Sequence, residues 1–291
     1  MKTKALLFCF VLALGIFFEA KLSAQTPRVD FPAPSPACTL KQRVGLTDIE
    51  IVYSRPSKKD REIFGGIVPF GQVWRTGANA STKISFSTPV KLNGVDIPAG
   101  KYALYTIPDE NEWTIIISKD LAASIFNYSE TNDLVRFKAT PVPFGNSIET
   151  FTIEFNRIRD ESAVINLVWD TTVVPIHLEV AITDKLVSQI ETAMSSSGKK
   201  IDGFYFQAAT FYFNHDLDLK KALEWVNAGL ADKPNIAFEL LHLKAQILAK
   251  QGDKDGAIAA AKESSELAVK AEGTAGSSFV KMNDDIISSL K

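Results

Sequence analysis

The hydrophobic period of this chain changes once, near Thr183, and that switch limits its fold more than any other feature. Upstream, apolar residues recur at every second position. Ile49, Ile51 and Tyr53 share one face of IEIVYS, and Ile84 and Phe86 share one face of KISFS. Trp113, Ile115 and Ile117 do the same in EWTIIIS, and KYALYTI, LVRFKA, TFTIEF and AVINLVW repeat the pattern. Period two places one face of a strand in a core and the other in water. LNGVD, IPAG, PDENE, FGNS and RDES carry turn chemistry between these runs. About eight short strands at this spacing predict an antiparallel β-sandwich or barrel-like domain over 44–182.

Downstream the period is helical. DKLVSQIETAM predicts a connecting helix that ends in the break SSSGKK, together spanning 183–200. Four further runs and a last amphipathic segment, Ser277 to Leu290, fill 201–291 with helix. Asn235 reads as an N-cap after Pro234, Gly252 as a stop and Asp253 as the next start. Ala222 and Ala257 open similar helix-turn starts 35 residues apart, with small residues at Ala209 and Ala245. This pattern resembles tetratricopeptide repeats, with two units and a cap. Such arrays need about three repeats to stand alone. The helices are therefore expected to lean on the β-domain or a partner. A brace is the leading reading and a peptide-binding groove the second, because so short an array has little concave surface.

The N-terminus carries an address. Lys2 and Lys4 precede the apolar run from Ala5 to Phe18, and Leu-Ser-Ala ends at Ala24. This predicts a signal peptide over 1–24 and an exported protein, periplasmic or extracellular. The run is shorter than the roughly 20 residues a membrane span needs, and no later segment is long and apolar enough. A Pro-containing segment over 25–43 follows, and Cys38 within it has no partner once Cys9 is removed. Cys38 is expected to be a small buried residue or a free thiol.

Charge narrows the partners. With 32 Lys+Arg against 34 Asp+Glu, the chain has no global footprint for nucleic acid. Locally the picture differs. Between Tyr53 and Lys83, six cations (Arg55, Lys58, Lys59, Arg61, Arg75, Lys83) face only Asp60 and Glu62. All eight arginines lie at or before Arg159. A guanidinium recognises carboxylate or phosphate through paired donors. Arg55, Arg61, Trp74, Arg75 and Asn79 are therefore the candidate ligand-binding residues, for an anion such as an acidic glycan or a phosphorylated group, or for an envelope protein or peptide. The competing expectation is structural: Arg55 and Arg75 pair with carboxylates of their own domain and stack on aromatics, while IFGGIVPFG folds over a sheet edge. Lys58 and Lys59 are expected to be solvated.

Signals for chemistry are sparse. His177, His215 and His242 have no His or Cys at metal-ligand spacing, and DKDG at Asp253 reads as a helix start rather than a calcium loop. No metal and no cofactor are expected. Asp109, Glu110 and Glu112 cluster in one turn, whereas a glycosidase sets two carboxylates on separate elements. The leading function is a non-enzymatic ligand- or partner-binding module of the cell envelope. The alternative is an envelope hydrolase of glycans or peptides with an unassigned carboxylate and arginine site.

YSRPSKKDREIFGGIVPFGQVWRTGANASTKISF (Tyr53 to Phe86), IPAGKYALYTIPDENEWTIII (Ile97 to Ile117) and NDLVRF (Asn132 to Phe137) resemble the domain-of-unknown-function 2911 family. The resemblance covers most of Val44 to Trp169. It implies an exported protein of Bacteroidetes-type bacteria, in a family some of whose members carry a helical repeat tail. It brings no catalytic residues.

Overall fold

A computed structural model describes residues 30–201, 203–231, 234–270 and 274–291. The signal-peptide reading of 1–24 lies outside the described residues. Two antiparallel sheets occupy the first part of the chain. Strands β1 (Ala37–Val44), β2 (Thr47–Ser54), β3 (Thr82–Phe86), β6 (Gly100–Ile107), β7 (Trp113–Ser118) and β8 (Asp133–Ala139) form one, in that order. The second has the order β5 (Val95–Ile97), β4 (Val90–Leu92), β10 (Ser162–Val180), β9 (Val142–Asn156). The alternating residues of both sheets meet in a single buried cluster, with Ile51, Ile84 and Ile115 from one side and Phe151, Ile165 and Ile176 from the other.

Three expectations are corrected. The first strand begins at Ala37, inside the segment expected to precede the domain. Its side chains are exposed or half-buried as far as Arg43 and Val44 is its first buried residue, so its alternation is faint. FGNS is not a turn but part of β9, which runs 15 residues against the 19-residue β10. Nor are all strands wet on one face. Ala103, Tyr105 and Ile116 are buried on the outer side of β6 and β7, because the segment after β7 lies across them. Tyr105 Oη and Ser81 Oγ both donate to the Ala123 carbonyl, at 2.7 and 3.2 Å, which fastens that segment down.

Six helices follow among the described residues: α1 (Thr183–Ser195), α2 (Phe204–Asn214), α3 (Leu219–Ala231), α4 (Ala237–Gln251), α5 (Lys254–Ala268) and α6 (Thr274–Leu290). None is long and apolar enough to cross a membrane. Gly252 ends α4 in the left-handed conformation at φ 86, and the Asp253 side chain accepts from Gly256 N to start α5. Asn235 does not cap α4; Ile236 occupies that position and makes no side-chain cap bond. His242, the histidine placed among leucines, is buried and meets Asn283 Oδ1 at 2.6 Å, tying α4 to α6.

Leu186 of α1 and Phe211 of α2 pack against the β-core and also against the helical core. Polar contacts reinforce this junction. Glu161, in the turn before β10, accepts from the backbone N–H groups of Ile182 and Thr183 and from Thr183 Oγ1, at 2.8–3.0 Å. It thereby caps α1 from outside the helix, where an anion also meets the positive end of the helix dipole. His215 lies between Asp160 and Glu161, at 3.6 and 3.5 Å. Partial burial pushes the Glu161 carboxyl up, but the donated hydrogen bonds and His215 outweigh it and hold it below its ordinary value of 4.5. A group depressed in the folded state stabilises above its unfolded pKa and loses that contribution as pH falls through the folded one. Glu161→Ala should therefore melt below wild type at pH 7, with a gap that narrows as pH falls below about 4.5. Thermal melts across pH 3–7 check this; a gap independent of pH contradicts it.

Candidate functional site

The candidate residues lie on the segment between β2 and β3. Two of its three aromatic residues, Phe64 and Trp74, do not cover a sheet edge, as expected, but sit between the sheets. Phe64 and Trp74 stand against Trp113 of the first sheet, with ring centroids at 4.8 and 6.3 Å. On the other side Trp74 stacks on Trp169 at 6.0 Å and meets Phe151 edge-on at 5.1 Å. Its backbone pairs with Thr106 in both directions, at 2.7 and 2.9 Å, extending the first sheet by one residue. The indole N–H donates to Gly77 O.

Beyond Trp74 the chain turns sharply. Thr76 and Asn79 take positive φ of 51 and 60, and Gly77 sits at φ 146. A Cβ on Gly77 would meet Ser54 O at 2.9 Å, so only glycine fits there. Thr82 Oγ1 donates to Thr76 O at 2.5 Å and Thr82 N to Arg75 O at 3.1 Å, closing the turn into β3. The backbone of VWRTGANAST is thus fixed at both ends before any ligand arrives.

The five candidates separate. Arg61, Trp74 and Arg75 line one cleft of about 350 Å³. Arg55 and Asn79 do not. Arg55 donates Nε to Phe151 O at 3.1 Å and Nη2 to Thr152 Oγ1 at 2.7 Å, which ties its strand end to β9. Asn79 donates to Ser35 O and Ser54 Oγ, while its own carbonyl accepts from Arg75 Nη1 at 2.6 Å. Arg61 gives Nε to Lys58 O and Nη2 to Ser57 O. The expected carboxylate partners for Arg55 and Arg75 are not found among the described residues; backbone carbonyls and a threonine hydroxyl take their place. Lys58, expected to be solvated, instead pairs with Asp170 at 2.6 Å, and that contact together with Ser147 holds the carboxyl of Asp170 below its ordinary range. Lys59 is exposed as expected.

The rest of the cleft is mostly apolar. Ile67, Val68, Pro69 and Val73 come from the same segment, Trp169 from β10, and Ile125 from the segment after β7. Ser35 and Gln72 supply neutral polar groups. No carboxylate is among the lining residues. Two arginines therefore line a mostly apolar cleft with no carboxylate among its lining residues, an arrangement that attracts an anion. Sequence reasoning missed Trp169 and Ile125, because nothing local marks residues that reach the cleft from 50 or more positions away.

Elsewhere, Lys83 Nζ lies 2.5 Å from Ser81 Oγ, and burial lowers the lysine pKa. Serine beside a lysine of lowered pKa is a pairing used for nucleophilic catalysis. Here Ser81 is 4% exposed and its hydroxyl is directed at Ala123 O, so no substrate reaches it. The turn carboxylates are spent otherwise: Asp109 accepts from Glu110 N and Glu112 pairs with Lys138. No group of His, Cys, Asp and Glu suited to a metal occurs among the described residues.

The fold and cleft define a two-sheet antiparallel β-domain followed by helices, with an arginine-bearing cleft on the inserted segment. Residues 35–178 match the family described as Protein of unknown function (DUF2911). Neither a curated protein nor a solved structure matches the chain.

Proposed function

We propose that this is an exported, non-enzymatic binding module that receives an anionic ligand in the Arg61–Arg75 cleft. The observation that carries the proposal is the pairing of two guanidinium groups on one cleft with no carboxylate in its lining. Both side chains are positioned by backbone carbonyls, so their charge remains unneutralised and little conformational entropy is lost on binding. Arginine neither gives nor takes a proton near neutral pH, which fits binding better than acid–base catalysis. Export rests on the signal-like residues 1–24. The two sheets around one core support a sandwich, and the helix pairs support a short tetratricopeptide-like array whose first task is to brace the β-domain.

Arg75→Ala should abolish binding of acidic ligands while moving the melting temperature little, since the lost side chain gives up one hydrogen bond to a carbonyl, worth about 1 kcal/mol. A titration of both proteins with a panel of acidic glycans, phosphorylated compounds, carboxylates and envelope peptides, paired with thermal melts, decides it. A large loss of stability without any change in binding would remove Arg75 from the site.

A further inference from the structure

Resting on that binding reading, we infer that the cleft takes a carboxylate carried on an apolar body, rather than a glycan acid or a phosphate. Three features of the cleft favour this class. The first is the free edge of Arg75. Asn79 O occupies Nη1, which leaves Nε and Nη2 without a partner among the described residues. These two N–H groups lie side by side, the edge that grips both oxygens of a planar carboxylate. Arg61 has its Nε and Nη2 held by Lys58 O and Ser57 O and keeps Nη1 for a second, end-on contact. One bidentate and one single donor suit a monoanion.

The second feature is what the aromatic rings are not free to do. A sugar acid binds by laying its ring on an open aromatic face. Trp74 packs against Phe64, Trp113, Phe151 and Trp169, and Trp169 is 1% exposed. The indole N–H groups are donated to Gly77 O and Glu149 O. Sugar hydroxyls would enter a site with few free polar partners, and an unpaired hydroxyl is costly to bury.

The third is the wall. Ile67, 44% exposed, lines the cleft with Pro69 and Ile125. Covering such surface with an alkyl or aryl group gains about 25 cal/mol per Å². A cavity of about 350 Å³ sits at the small end of ligand sites, the size of a medium-chain rather than a long-chain acid.

The test is calorimetric titration of the protein with sodium octanoate, acetate, glucuronate and inorganic phosphate. Octanoate should bind at least about tenfold more tightly than the other three, a difference of about 1.4 kcal/mol. Arg75→Lys, which keeps the charge but loses the fork, should weaken octanoate roughly tenfold. Ile67→Ser should weaken octanoate and leave acetate unchanged. If acetate equals octanoate, or if glucuronate or phosphate binds more tightly, the carboxylate-on-apolar-body class is overturned while the anion-binding reading stands. If none of the four binds and the broader panel of acidic ligands is also silent, both fall.

Discussion

Trp169→Ala should destabilise the protein by about 3–5 kcal/mol, the range for truncating a buried aromatic residue. Trp169 is 1% exposed and stands where the two sheets and the inserted segment meet. Its ring stacks on Trp74 and touches Phe151 and Phe64, at 5.8 and 6.3 Å. The indole N–H also holds Glu149 O, a carbonyl of the strand onto which the start of the segment is tied. Alanine leaves a cavity between layers that cannot close without moving Trp74. The cleft should therefore loosen with the core, and ligand binding should weaken even though the guanidinium groups are untouched. Denaturant unfolding gives the first quantity and titration the second. A loss below about 1 kcal/mol would mean that the stacked indoles do not hold the segment.

Ending the chain after Ile182 should be nearly as damaging. The cut removes Leu186 and Phe211, which cover the end of the β-core, and takes from Glu161 both Thr183 donors, leaving it only the Ile182 N–H. Two partly buried apolar side chains at the low end of burial energies account for about 3 kcal/mol. The shortened chain should melt at least several degrees lower or aggregate through the uncovered core. Phe211→Ala in the whole chain is the control, because it removes one contact without removing the helices, and it should reproduce part of the loss. Equal midpoints for the full and shortened chains would mark the helical part as independent rather than a brace.

The fold was legible where residues face both core and water. Ile49, Ile51 and Tyr53, or Ile84 and Phe86, announce their strands because burial alternates along them. It was illegible in β1, where Cys38, Leu40 and Gln42 are only half-buried and no other side chain before Val44 is buried at all. FGNS misled for a related reason: residues 142–147 are exposed throughout, so only pairing with β10 keeps them extended. At the site, the composition of VWRTGANAST pointed to a fixed turn and an outward guanidinium. What composition does not encode is direction. Arg55 and Arg75 look alike in sequence, yet Phe151 O and Thr152 draw one into the fold while Asn79 O holds the other beside the cleft.

On the binding reading, Arg75 serves a ligand rather than the fold. The most direct measurement is calorimetric titration of wild type and Arg75→Ala with the same acidic panel, with a thermal melt of each protein beside it. Binding lost and a melting temperature shifted by no more than a few degrees is the expected result. Unchanged binding with a melting temperature far below wild type would contradict it.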